Sequence, residues 1–379
     1  MTTTVITLLA SLGLNPAGAI LSEQEITDGF VSLFNGRDLS GWHITGGPDD
    51  SFGVRGGQLE CTGSGEFPNW LRTDKTYENF VLRFDFKLPH YVESGLLIGA
   101  PLHGRASKVG MKIHLCDHIA KGSKTAYSGA ILGVRPALTI ATNHFDEWNS
   151  VEVEFDWPRL RVIINGKLAQ DVDCEKDPVL RYRLRRGYLG LQDMGGPVAF
   201  RNLRIKELPS KHRWTSLFNG KNFDGWKIIG EATWDVTDGV IRAADGNGYL
   251  MTESSYQDFE LHTLIKTSRH ANGGIFFRWK SLVPQDRGYE IQIYNVPDGN
   301  NPTGSIYTRV RVDHVPVRDG EWFPMHIIVK GPKCVVRVNG EIVAVDEHLP
   351  LVRSGPICLQ MHRRNAWIEF KEVRIRSLN

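Results

Sequence analysis

"SLFNGRDLSGWHI" runs from Ser32 to Ile44, and "SLFNGKNFDGWKI" runs from Ser216 to Ile228. The elements "FNG" and "DGW" supply turns followed by a large indole, which predicts a chain-entry corner with Trp42 or Trp226 packed into a core. Stacking of these tryptophans on a sugar is the weaker reading, because an indole so close to a tight turn usually anchors packing. The repetition continues outward. "WLRTDKTYENFVLRFDFKL" (Trp70–Leu88) matches "YLMTESSYQDFELHTLIKT" (Tyr249–Thr267), "LRVIINGKLAQDV" matches "CVVRVNGEIVAVD", and "GYLGLQDMGGPVAFRNLRIKEL" matches "GPICLQMHRRNAWIEFKEVRIRSL". Every landmark keeps its order. The chain is a duplication of a unit of roughly 180 residues, an ordinary domain size and too long for a solenoid period. The expected division is a first domain over 28–208 and a second over 212–379, parted within "ELPSKHRW" (Glu207–Trp214), which Pro209 interrupts.

Each unit reads as strands. In "VVRVNGEIVAV" apolar and β-branched residues flank Asn339-Gly340, a pair suited to positive φ at both centres of a type I′ hairpin turn, and Asn165-Gly166 repeats it in the first copy. With 39 Gly and 18 Pro set between short runs, and no long amphipathic helix, the fold class is all-β: two tandem antiparallel β-sandwiches.

Composition narrows the partners. Lys+Arg of 45 against Asp+Glu of 43 gives no electrostatic reason to expect nucleic acid or an anionic membrane. The densest basic run, "RYRLRR" (Arg181–Arg186), reads as a solvated strand end or loop. Five scattered cysteines without CxxC spacing argue against a zinc site or disulfide framework; Cys334 and Cys358 lie on neighbouring predicted strands, but buried free thiols are the simpler reading. Residues 1–27 read as a signal peptide and leader, with an apolar run before Ala17 and Ala19 but no basic n-region, so export is expected. No segment is long enough to span a membrane as a helix.

Alternation sorts the strands into core and open faces. In "GYEIQIYN" Tyr289, Ile291 and Ile293 face one way, and Glu290, Gln292 and Tyr294 the other. In "GGIFFRWK" Ile275, Phe277 and Trp279 read as core, with Phe276, Arg278 and Lys280 outside. In "TGSIYTRVRV" Ile306, Thr308 and Val310 read inward, with Tyr307, Arg309 and Arg311 outward. Such a face can fork-bond hydroxyls while its rings stack on sugars, which makes a saccharide the expected partner.

The motifs "SLFNG…GW", "YLMTESSYQDFEL", "NGGIFFR", "GYEIQIYN", "TGSIYT", "GEWFPMHIIVKG", "VNGEIV" and "FKEVRIRSL", in this order, resemble the 3-keto-disaccharide hydrolase family. The resemblance covers nearly all of 214–378 and, more weakly, 30–208. It implies a concanavalin A-like jelly roll acting on glycosides oxidised at C3. Where the family often ends its strand motif with Asp, this chain has Tyr294 or Asn295.

A ketone at C3 acidifies the C2 hydrogen. Removing it lets the C1 aglycone leave by β-elimination, and hydration completes net hydrolysis. This gives Glu290 the base role, Arg278 the enolate-stabilising role and His314 the place of rival base. Gln292, Tyr307, Tyr294, Phe276 and Arg309 would bind substrate, Tyr307 also serving as proton donor. A two-carboxylate glycosidase fits less well, since the face of "GYEIQIYN" offers one carboxylate. The alternative is a non-catalytic, lectin-like carbohydrate-binding protein. In the first copy "GMKIHLCDH" places Lys112 and His114 where Glu290 and Gln292 stand, and "GLLIGA" leaves Arg278 without a counterpart. No cofactor is implied with any firmness, although a divalent metal stays open. His103, His114, Asp117 and His118 are ligand-type residues, but strand spacing holds His114 and His118 too far apart to close on one ion. "YNVPDGNN" (Tyr294–Asn301) reads as a long turn rather than a calcium loop.

Overall fold

The computed structural model describes residues 21–63, 69–116, 127–210, 213–280 and 286–378. The opening motif folds identically in both copies. Asn35 Oδ1 accepts the backbone N–H groups of Arg37 (2.8 Å) and Asp38 (3.0 Å); Asn219 Oδ1 does the same for Lys221 (2.8 Å) and Asn222 (3.0 Å). These Asx turns swing the chain so that Trp42 Nε1 donates to Leu33 O at 2.8 Å and Trp226 Nε1 to Leu217 O at 2.6 Å. Both indoles are buried, so they anchor the core and are unavailable to a sugar.

Each half is a jelly-roll-like sandwich of an eight-stranded and a five-stranded antiparallel sheet. In the first half the five-stranded sheet runs Trp42–Thr45, Asn69–Tyr77, Gly187–Asp193, Glu93–Ala100, Met111–Cys116. In the second it runs Trp226–Gly230, Gly248–Tyr256, Gly355–Met361, Gly273–Phe277, Tyr289–Ile293. The expected hairpins are present: φ is 50° and 74° at Asn165-Gly166, and 49° and 83° at Asn339-Gly340. Between the sheets, Phe80, Phe84, Phe155 and Phe200 fill one core, and Phe259, Phe277 and Phe323 the other. All five cysteines are buried free thiols.

Three sequence expectations change here. The basic run is not a solvated loop. Arg183 is buried, and Arg185 Nη2 lies 3.4 Å from Glu260 Oε1 of the second half, where Arg376 Nη2 also donates at 2.7 Å. Glu260 is fully desolvated, and a buried carboxylate persists only where cations reach it. Arg337 crosses the other way, its guanidinium donating to the carbonyls of Lys108 (2.6 Å) and Tyr182. The two sandwiches are therefore locked by buried charge. Second, Glu23–Thr27 is a short helix capped by Ser22, and Glu25 binds Arg204 (2.6 Å) and Arg83 (3.0 Å), so the end of the supposed leader is built into the first half. The leader's residues 1–20 lie outside the described residues.

Third, "TGSIYTRVRV" is not a strand. Ile306 makes isolated bridges to Ile291 and Val310, and Thr308 adopts a φ of 61°, which turns it out to solvent. Ile306 and Val310 do pack on the core, so alternation erred at Thr308.

Candidate functional site

The open face of the second half's five-stranded sheet carries a hollow of about 570 Å³. Its floor comes from the strands: Phe276, Glu290, Gln292 and Gln360. Tyr294, Asp298 and Tyr307 rise beside it from the loops that follow. A second hollow of about 400 Å³ adjoins it and shares Phe276, Arg287, Glu290 and Tyr307. Glu290 thus stands where two pockets meet, a layout that suits two linked ring-sized groups.

The register explains why Glu290 can lie flat in this floor. Gly274 pairs with Gln292, and Phe276 with Glu290. A Cβ on Gly274 would sit 2.5 Å from Glu290 Oε1, so only glycine leaves room for the carboxylate. Burial in this position raises the Glu290 carboxyl to about 7, against a weaker opposing pull from Arg287. Gln292 is fixed by its amide, which donates to Asn272 Oδ1 (2.9 Å) and Gly273 O (3.2 Å). Gln360 is fixed by a hydrogen bond to the Tyr249 hydroxyl at 3.2 Å. At the rim, His362 Nδ1 pairs with Asn247 Oδ1 at 3.1 Å. A base with a pKa near neutrality, beside fixed amides and a phenol, can move a proton to and from a bound sugar. Gly274→Ala should displace Glu290 and lower kcat/KM by roughly 10²-fold, while the thermal midpoint stays near that of the native chain. Paired kinetic and melting measurements check this.

Of the residues expected from sequence, Glu290, Gln292, Tyr294, Tyr307 and Phe276 come together here. Arg309 reaches only the smaller hollow, held by Asp346 (2.5 Å) and the His348 carbonyl (3.0 Å). Arg278 and His314 are corrected. Arg278 is fully buried and donates to the carbonyls of Leu351 (2.9 Å), Gly331 (2.7 Å) and Gln257 (3.2 Å), and to Asp258 (3.1 Å). Its φ of 56° breaks strand alternation, sending its own side chain into the protein and bringing Trp279 beside Phe276 and Tyr249 on the outer face. His314 is exposed and lies 3.1 Å from Glu341, away from both hollows. Sequence reasoning missed Arg287, Asn272, Asp298, Gln360 and His362, all of which line the larger hollow. Asp298 sits in the segment read as a plain turn. Gln360 was legible in principle, since alternation along "GPICLQM" separates it from core residues Leu359 and Met361.

In the first half Lys112 and His114 occupy the positions of Glu290 and Gln292, as the pairing of Leu97 with Lys112 and Gly95 with His114 shows. Gly99, with φ 64°, takes the backbone place of Arg278. Lys112 lies over Gly95, and burial lowers its ammonium to about 8, with Glu93 opposing. His114 is likewise buried and lowered to about 4 by desolvation, with Lys112 adding to the effect. His103, the other described member of the suggested metal set, pairs instead with Lys371 Nζ at 2.8 Å. Asp117 and His118 lie outside the described residues.

A family model described as a 3-keto-alpha-glucoside-1,2-lyase-like domain matches residues 29–206 and again 213–376. A search of curated proteins finds no match. Among solved structures, a "putative glycosyl hydrolase" from Parabacteroides distasonis is 24% identical, with a TM-score of 0.45, and covers 50% of this chain and 99% of its own. The carbohydrate binding module CBM66 from Bacillus subtilis is 18% identical with a TM-score of 0.32, covering 40% of this chain and 96% of its own.

Proposed function

The chain belongs, in both of its halves, to the 3-keto-alpha-glucoside-1,2-lyase-like family, and from that premise we propose that the second half cleaves 3-keto-glycosides. The observation that carries the reading is Glu290, a partly buried carboxylate with a pKa near 7 at the junction of two hollows. Glu290 takes the C2 proton of the keto sugar, and the C2–H electron pair is delocalised onto the C3 oxygen as an enolate. Arg287, which lines both hollows, replaces Arg278 as the cation nearest that developing charge. The enolate electrons return to form the C1–C2 double bond. The C1–O bond breaks with its electron pair, and the leaving oxygen is protonated by Tyr307 or His362. Water then adds its hydroxyl to C1 and gives its remaining proton back to the Tyr307 or His362 that acted as acid, while C2 regains a proton from Glu290, giving net hydrolysis.

Incubation with a 3-keto-glucoside in heavy water tests this. Deuterium at C2 of the released sugar is expected; cleavage without deuterium at C2 would point to ordinary two-carboxylate hydrolysis using Asp298. Saturable binding with unchanged substrate would leave a lectin.

Acid–base behaviour follows from the same carboxyl. The working form of Glu290 is ionised, so kcat/KM should rise with pH and level off above about 7. Stability moves the opposite way. The folded chain holds this proton above the ordinary value of 4.5, so its contribution is full below that value and is lost as pH rises through 7. Glu290→Gln should accordingly gain stability relative to the native chain above pH 7, which urea titrations at pH 5 and 8 check.

A further inference from the structure

The first half has Lys112 where the second has the Glu290 carboxylate, yet the same open face is not idle. It forms one wall of a cavity of about 690 Å³ whose opposite wall is the segment Val315–Phe323 of the second half. Trp70, Leu97 and Gln192 line it from the first half, and they stand at the sheet positions of Tyr249, Phe276 and Gln360. Gln192 is 6% exposed, and its Oε1 has no hydrogen-bond partner among the described residues. A buried carbonyl oxygen left in that state calls for a donor, and a sugar hydroxyl is one. Trp70 is buried in the floor, so the indole open to a pyranose ring is Trp322, half-buried on the opposite wall.

The charge around this cavity has one sign in excess. Arg105, Lys108 and Arg318 line it against a single lining carboxylate, Glu321. Arg105 and Lys108 are partly neutralised by Glu341, whereas Arg318 is exposed and has no ion pair among the described residues. Behind Trp322 lie Lys371, 4.2 Å from its ring centre, and Lys266 at 5.9 Å. His103, which stacks on Trp322 and bonds Lys371, stays neutral because burial lowers it to about 4, helped by Lys371 and Arg72. His103 therefore adds no charge at neutral pH, and Glu372 and Glu369 act on Lys371, so the positive excess that a ligand meets is carried by the lining cations, Arg318 above all.

We infer that the cavity between the two halves is a second saccharide site that holds a carboxylate-bearing sugar without reacting on it. An unpartnered amide oxygen, the indole of Trp322 and unneutralised guanidinium charge recognise hydroxyls, a ring face and an acid group together. Lys112, at the place of Glu290, is itself buried and is not part of the cavity lining, so no group at that sheet position addresses the bound ring.

Calorimetric titration of the full chain with trigalacturonate, beside maltotriose as the neutral counterpart, tests the inference. Saturable binding of the acidic trisaccharide is expected, at least about tenfold tighter than the neutral one and weakening as salt is raised. Arg318→Glu should weaken it by at least about tenfold, Trp322→Leu should also weaken it, and Tyr307→Ala at the other hollow should leave it unchanged. Arg318 is exposed, so its replacement should leave the fold intact, as circular dichroism would verify. No binding, equal affinity for the neutral sugar, indifference to Arg318→Glu, or loss in Tyr307→Ala would each overturn it. The proposal does not rest on Glu290, and its failure would leave the deuterium experiment untouched.

Discussion

Glu290→Gln is expected to lower kcat by about 10²–10⁴-fold, the usual contribution of a positioned general base, and to end deuterium incorporation at C2. The amide is isosteric, so it lies over Gly274 as the carboxylate does and keeps the floor of the hollow intact. Substrate binding should change far less than turnover, because Gln292, Gln360 and Tyr307 retain their places. A variant that still exchanged the C2 hydrogen would remove Glu290 from the base role and bring His362 forward in its stead.

Arg278→Ala should produce a loss of comparable scale, but in stability. Its guanidinium satisfies three backbone carbonyls and Asp258 inside the protein, and truncation leaves these acceptors buried without donors. Breaking a buried, hydrogen-bonded charge of this kind costs about 3–5 kcal/mol. Arg278→Gly should cost less than Arg278→Ala, because a residue with a side chain held at φ 56° gives up about 1–2 kcal/mol that glycine does not. Urea unfolding of the two variants, ranked against the native chain, measures both effects. An Arg278→Ala chain of native stability but without turnover would restore the enolate-stabilising role.

The contrast between these two residues marks how far the sequence could be read. Period-two alternation placed Glu290, Gln292 and Phe276 correctly because they sit in regular strands, where side-chain direction follows from position alone. It failed at Arg278 and Thr308, two points where a positive φ on a residue other than glycine reverses the count. Nothing in "FFRWK" or "IYTRV" announces such a conformation, whereas at Gly99 the glycine itself signals it. Arg287, Asp298 and His362 were out of reach for another reason. They lie outside the strands, and their approach to Glu290 is set by tertiary packing. The turn chemistry, being local, was fully legible: both Asn-Gly hairpins and both Asx corners follow from residue types alone.

The charged seam between the halves bears on why a duplicate without the Glu290 carboxylate persists. Were residues 213–378 made alone, Glu260 would lose Arg185, and Arg337 would lose its acceptors at Lys108 and Tyr182. A severed half would keep Arg376 on Glu260 and the Gly340 carbonyl on Arg337, but would lay open a charged seam with its other partners gone. Damage to the first copy would then surface as poor folding yield and precipitation, so natural selection can preserve it as a brace whatever chemistry it performs.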